Sequence, residues 1–196
     1  MPPVLRNLSA SELTGPEVRE LLRLATDFDD GALDRLVSEV LPRLTVLAAM
    51  DDDAGRTPIA LAAYAPPGGQ AVREPEAGPQ EPRPSPSTTI EYIATSPTHQ
   101  RTGTARALIA EIRRRHPRAV LRASTDDDAI GFYRALGFLD HPAPRDPRWP
   151  ERRRYDCVLD VLDAATGTIE EREELSRKVA EMGAGQRLAL IERLGQ

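Results

Sequence analysis

Cysteine is almost missing from this chain. Cys157 is the only one among 196 residues, which excludes an intramolecular disulfide framework and a thiolate metal cluster and suits a reducing compartment. Lysine is as scarce, with Lys178 alone; arginine replaces it, and with the abundant alanine this reads as a bias of genome composition, silent about function. Excess positive charge is lacking too: the formal charge is -5 and the pI about 5.3. The general attraction to phosphate backbones and anionic lipid is therefore absent, so neither nucleic acid nor a membrane surface is expected as a partner. No stretch approaches the roughly 18 apolar residues of a membrane span, and the start, Met1 to Arg6, has no apolar signal core. A cytoplasmic location is expected. The three histidines form no ligand set: His116 and His141 each precede a proline at an element end and His99 stands in a loop. Turn and capping chemistry accounts for Asp51 to Asp53 and Asp126 to Asp128, and no metal is expected.

The chain has the length for one full α/β domain with an appendage. Val4 to Leu8 is a short apolar run. Apolar spacing then predicts a helix bearing Val18, Leu21, Leu22 and Leu24, and a second bearing Leu33, Leu36, Val37 and Val40 that ends near Pro42. Leu44 to Met50 and Ile59 to Ala65 read as the strands of an antiparallel hairpin. Residues 66–87 hold seven prolines, a composition that sustains neither core nor ladder, and are expected to form a flexible loop inside the domain. Thr88 to Thr95 is a strand, Gly103 to His116 a helix with Ala107, Leu108, Ile109 and Ile112 inward, and Ala119 to Ala123 a strand. A helix over Asp126 to Leu136 is capped by Gly137. Phe138 begins another strand, and Tyr155 to Val161 is the last, with Tyr155, Cys157, Leu159 and Val161 on one face. The expected organisation is a domain over 1–162 and a charged helical extension over 163–196, a candidate surface for homodimer formation.

The chemistry concentrates between Ile90 and Ala110, where a strand runs through a glycine-containing loop straight into a helix. Such a junction aims free main-chain N–H groups and a helix N-terminus at one spot, a good seat for a pyrophosphate. Gly103 permits close backbone approach and Ala105 keeps the next turn small. The glycine and lysine spacings of a Walker loop or a Rossmann fingerprint are absent.

Gln100, Gly103 and Ala105 fit a Q/R-x-x-G-x-G/A pattern, and Phe132, Tyr133, Leu136, Gly137 and Phe138 fit F-Y-x-x-L-G-F further on. Together, in this order and separation, they resemble the GNAT superfamily of acetyl-CoA-dependent N-acyltransferases. The resemblance implies a mixed α/β fold whose central sheet is mostly antiparallel, with one parallel, splayed strand pair and flanking helices. It implies acetyl-CoA as cosubstrate and an amine as acceptor, joined in a ternary complex. Main-chain groups of Ile93, Ala94 and Thr95 would pair with the pantetheine arm. Those of Gln100, Arg101, Thr102, Gly103, Thr104 and Ala105 would hold the pyrophosphate. Asp126 stands where relatives often carry asparagine, and is expected beside the cofactor and as a helix cap.

Tyr133 would put its phenol near the leaving sulfur. A thiolate of solution pKa about 8.5 gains from a donor that keeps its proton at neutral pH, so general acid is the expected role. The incoming amine must shed a proton before it attacks, and Glu91, on the face of Ile93 by strict alternation, resembles the base used by some members through water. Asp27, Asp29, Asp30 and Asp34 suit a cationic acceptor. A binding module that holds acyl-CoA without turnover, using the tail helices as its interaction surface, is the competing reading.

Overall fold

The computed structural model describes residues 3–51, 57–68, 86–147 and 149–160. Most of the 66–87 loop, part of the aspartate turn after Met50 and the whole 163–196 extension lie outside the described residues. All the described elements belong to the unit Met1–Leu159. In chain order they are β1 (Val4–Asn7), α1 (Ala10–Leu13), α2 (Pro16–Ala25), α3 (Asp30–Arg35), β2 (Thr45–Met50), β3 (Pro58–Ala65), β4 (Ser87–Thr95), α4 (Thr104–Arg115), β5 (Val120–Asp126), α5 (Ile130–Arg134), β6 (Leu139–Ala143) and β7 (Arg154–Leu159).

The sheet has seven strands in the order β1-β2-β3-β4-β5-β7-β6. Every pair is antiparallel except β4 with β5. That is the mixed, mostly antiparallel sheet expected from the sequence. Strand β3 is buried along its whole length, and its side chains alternate between two cores. Ala60, Ala62 and Tyr64 join Leu108, Ile109 and Ile112 of α4 on one face. Leu61, Ala63 and Ala65 join Leu21 and Leu22 of α2 and Leu33 of α3 on the other. The run of alanines in β3 lets helices approach both faces closely, and the burial of Leu and Ile on either side is the main stabilising term.

Local chemistry explains the boundaries. Pro16 opens α2 at its first turn, where the missing N–H is unused anyway. Val18, Leu21 and Leu22 are buried, but Leu24 is 46% exposed and does not share their face. Asp29 caps α3 by accepting from the Ala32 amide at 2.7 Å. The second predicted helix is divided: α3 passes into a π-turn over Leu36–Val40 and then a 3-10 turn over Leu41–Arg43. Pro42 lacks the donor that a continuing α-helix needs. In α4 the inward positions are Thr104, Leu108, Ile109 and Ile112, with Ala107 only half-buried.

The helix predicted over Asp126 to Leu136 is shorter than its pattern. Residues up to Asp126 are drawn into β5 by pairing with β7, Asp126 opposite Arg154, so α5 begins only at Ile130 with Ala129 as its N-cap. Gly137 closes it with φ 85°, and the Phe138 amide reaches back to the Tyr133 carbonyl at 3.1 Å, the left-handed closure that glycine allows. Among the described residues no helix is long and apolar enough to cross a membrane.

Candidate active site

Strands β4 and β5 part company at a defined point. Their parallel pairing runs from Ser87 opposite Val120 to Ile90 opposite Ala123 and then stops. Beyond it β4 stays with β3 to Thr95 and β5 stays with β7 to Asp126. The facing edges of Glu91–Thr95 and Ser124–Asp126 are not joined to each other, so main-chain donors and acceptors along Ile93, Ala94 and Thr95 open into a fork. Between Ile90 and Tyr92 the register with β3 slips by one residue, Tyr64 facing Ile90 and Ala63 facing Tyr92. Glu91 is the inserted residue of that bulge, and a bulge re-aims side chains where a strand needs it. Strict alternation therefore does not hold here: Ile90 and Ile93, three apart, pack with the α4 core, while Tyr92 and Ala94 pack with the α2 core. Glu91 itself is half-buried, and its Oε1 is shielded from solvent.

The loop after β4 gathers the predicted anchor residues. Ser96 bonds its amide to the Ile59 carbonyl at 2.8 Å, a 3-10 turn covers Pro97–His99, and the Gln100 amide side chain returns to the Thr95 carbonyl at 3.4 Å. Thr102 Oγ1 donates to the His99 carbonyl at 2.6 Å and lies 2.8 Å from Thr104 Oγ1. Arg101, at φ 62°, and Gly103, at φ 88°, are both left-handed. Among the described residues, main-chain hydrogen bonding ends with the Gln100 amide and resumes with Ala107 donating to the Gly103 carbonyl at 2.9 Å. The amides of Arg101 to Arg106 are thus left for a ligand, at the start of a helix of 12 residues. Left-handed turns between right-handed ones curve successive N–H groups into an anion-binding nest, which the helix dipole reinforces. A methyl group placed on Gly103 would meet nothing within 4 Å, so the mouth of the nest is open. Thr104 is the exception in its role: its side chain turns into the core, 5% exposed, and only its amide faces the nest.

Tyr133 stands at the fork. It is buried in the same cluster as Ile90 and Ala123, the last parallel pair, with Ile93 packed against that cluster. Phe132 and Phe138 hold its ring edge-on at 5.1 and 5.3 Å between centroids. Among the described residues its hydroxyl makes no hydrogen bond with the protein. Burial pushes the phenol well above its ordinary range, helped by the nearby Cys157, so it holds its proton at any physiological pH. The Cys157 thiol is itself raised to about 11, by burial first and then by Asp140 and Asp156. Fully buried in β7, it packs as a small apolar group.

Asp126 does not cap α5, a correction to the sequence expectation. Its Oδ1 accepts from the Asp128 amide at 3.1 Å and its Oδ2 lies 3.3 Å from Arg152 Nη1. The same guanidinium nitrogen lies 2.9 Å from Asp27 Oδ2. Arg152 therefore ties the α2–α3 turn to the end of β5. Asp127 accepts from the Tyr155 hydroxyl at 2.8 Å and the Arg153 amide at 3.1 Å, which hold its carboxyl below the usual range.

A fork, a nest on the helix that follows it and a proton-holding tyrosine at the parting point match what one family uses. Residues 49–139 fit the family model described as "Acetyltransferase (GNAT) domain". Over that span the chain carries a GNAT domain. It is an acyltransferase. Solved structures share the fold. A putative GNAT-family acetyltransferase from Desulfovibrio desulfuricans is 20% identical, with 81% of this chain and 98% of that one covered and a TM-score of 0.58. The ribosomal-protein-S18-alanine N-acetyltransferase of Escherichia coli is 19% identical over 85% and 96%, with a TM-score of 0.56. Arabidopsis thaliana NAA60, solved in complex with acetyl-CoA, is 14% identical over 80% and 98%, with a TM-score of 0.51. At such identities the likeness is one of fold. No curated protein matches the chain.

On the α2 side of this GNAT domain a cleft of about 520 Å³ opens between the α2–α3 turn, the turns after α3, Tyr92 of β4 and Trp149 of the β6–β7 segment. Asp27 and Asp29 line it, whereas Asp30 pairs with Arg23 and Asp34 with Arg19. Three features escaped the sequence reading. The bulge at Glu91 depends on β3 and carries no local signal. The left-handed Arg101 is imposed by the loop's bonds on a residue type that seldom adopts it. The Thr95 hydroxyl, buried without a hydrogen-bond partner at the end of β4, is the kind of orphan that a ligand in the fork would satisfy.

Proposed function

We propose that the chain is an N-acetyltransferase that moves the acetyl group of acetyl-CoA onto a primary amine by direct attack in a ternary complex. The single observation that carries this reading is the run of unused amides from Arg101 to Arg106 beside a fork whose strand edges are unpaired. The nest fits a diphosphate, the open edge of Ile93 to Thr95 fits a chain of amides such as pantetheine, and the room above Gly103 admits both. Acetyl-CoA supplies the activated acyl group; the protein supplies position and proton transfer.

In this reading Glu91 takes a proton from the amine through water, freeing the lone pair that bonds to the acyl carbon. Tyr133 gives its proton to the sulfur as the carbon–sulfur bond breaks, the cationic nitrogen gives up its second proton to restore the phenol, and the products are an amide and a free thiol. The raised phenol suits that part, since a group ionised at neutral pH has nothing to donate. We assign the activity to the domain over 1–162.

Thiol release from acetyl-CoA across a panel of primary amines, paired with calorimetry on coenzyme A, tests the proposal. Binding of coenzyme A together with amine-dependent thiol release is expected. A chain that binds the thioester and never releases thiol would leave the acyl-CoA-binding module as the better description.

A further inference from the structure

We infer that the cleft under the α2–α3 turn selects a small organic cation, an amine carried on an apolar or aromatic body; this rests on the acetyl-transfer reading. Its volume, about 520 Å³, falls within the roughly 300–1,000 Å³ typical of small-molecule sites. Its aromatic walls come from three separate segments: Phe28 from the α2–α3 turn, Tyr92 from β4 and Trp149 from the stretch before β7. All three are half-buried, and Leu36, 2% exposed, lies behind them. Ring faces attract cations as well as apolar surface.

Charge settles the sign of the occupant. Among the described residues, Asp27, Asp29 and Glu39 line the cleft against Arg35 as the one basic lining residue. Two of these carboxylates are already engaged, Asp27 with Arg152 at 2.9 Å and Asp29 with the Ala32 amide at 2.7 Å. Glu39 makes no hydrogen bond or ion pair among the described residues, although Arg35 stands one helical turn before it. An anionic ligand would meet that carboxylate as repulsion and a neutral one would gain nothing from it; an ammonium gains both the carboxylate and the rings. Tyr92 follows Glu91 directly, at the bulge. An amine bound against Tyr92 is therefore delivered to the strand that bears the proposed base.

Trp149 is the sole tryptophan of the chain, so its emission reports on the cleft without any turnover. The full chain is titrated, with and without coenzyme A, with phenethylamine, the neutral phenethyl alcohol and the anionic hydrocinnamate. Phenethylamine should quench or shift the emission saturably and bind at least about tenfold more tightly than the other two. Glu39→Gln, a change on an exposed side chain, should bring the amine close to the alcohol. Equal binding of alcohol and amine, a preference that survives Glu39→Gln, or no saturable response to any of them overturns the inference. An amine-selective response without thiol release would strike down acetyl transfer alone. Thiol release with amines that leave Trp149 unmoved would strike down the inference alone.

Discussion

Tyr133 separates two duties within one side chain: its ring belongs to the core, and its hydroxyl to no described protein partner. Tyr133→Phe removes the oxygen and keeps the ring contacts, so unfolding free energy should change by no more than about 0.5 kcal/mol. Turnover should fall about a hundredfold if the phenol is the acid, with the KM for acetyl-CoA little altered. Steady-state kinetics beside thermal melts would show it, and an unchanged kcat would remove Tyr133 from the mechanism. Because burial raises this phenol, no alkaline limb of the pH profile should be assigned to its ionisation. At Glu111 the perturbation is structural. Arg114 and then Arg115 hydrogen-bond its carboxylate and hold it at about 2, below the ordinary 4.5. A group depressed in the folded state stabilises fully above its unfolded value and loses that contribution as pH falls towards the folded one. Glu111→Gln should therefore lower the melting temperature at neutral pH, and the deficit should close between 4.5 and about 2. A deficit independent of pH would refute the ion pairs as its cause.

At the scale of the element, the loop between β4 and α4 works through its main chain. Gly103, at φ 88° with open space where a side chain would go, is the position where backbone shape and ligand access coincide. Gly103→Ala should cost about 1–2 kcal/mol in the left-handed conformation and weaken acetyl-CoA binding by about tenfold or more, since relaxing that strain would turn the neighbouring amides away from one another. Calorimetry would reveal an unchanged affinity, which would place the diphosphate elsewhere. This element was legible in advance: glycine, helix pattern and the preceding β-branched run all mark it locally. The helix after β5 was less so. Its apolar spacing and Gly137 were visible, but Asp126 and its neighbours also suit a strand end, and pairing with Arg154 across β7 decided between the two.

For the molecule as a whole, Arg152 joins pieces remote in sequence, reaching Asp27 at 2.9 Å and Asp126 at 3.3 Å. All three side chains keep substantial exposure, so solvent screens the bridges and they add little to stability. Their effect should fall on geometry: they fix the α2–α3 turn, which walls the cleft, against the end of β5. Arg152→Ala should move the melting temperature by no more than about 4 °C while raising the KM for the amine several-fold. Equal KM values for the two proteins would show that the turn needs no such tether.

Composition and periodicity alone were enough to exclude a disulfide scaffold and to lay out alternating strands and helices, because helical and strand periods and glycine turns are local properties of a chain; the motif resemblance added Gln100–Ala105 as the proposed cofactor loop and Tyr133 as the proposed acid. Tertiary structure alone decided the bulge that inserts Glu91, the point beyond Ile90 where two parallel strands part, the left-handed Arg101 and the meeting of Phe28, Tyr92 and Trp149 around one cleft. Each of these depends on hydrogen-bond register or packing between segments far apart in sequence, and such pairings leave no trace in the spacing of neighbouring residues.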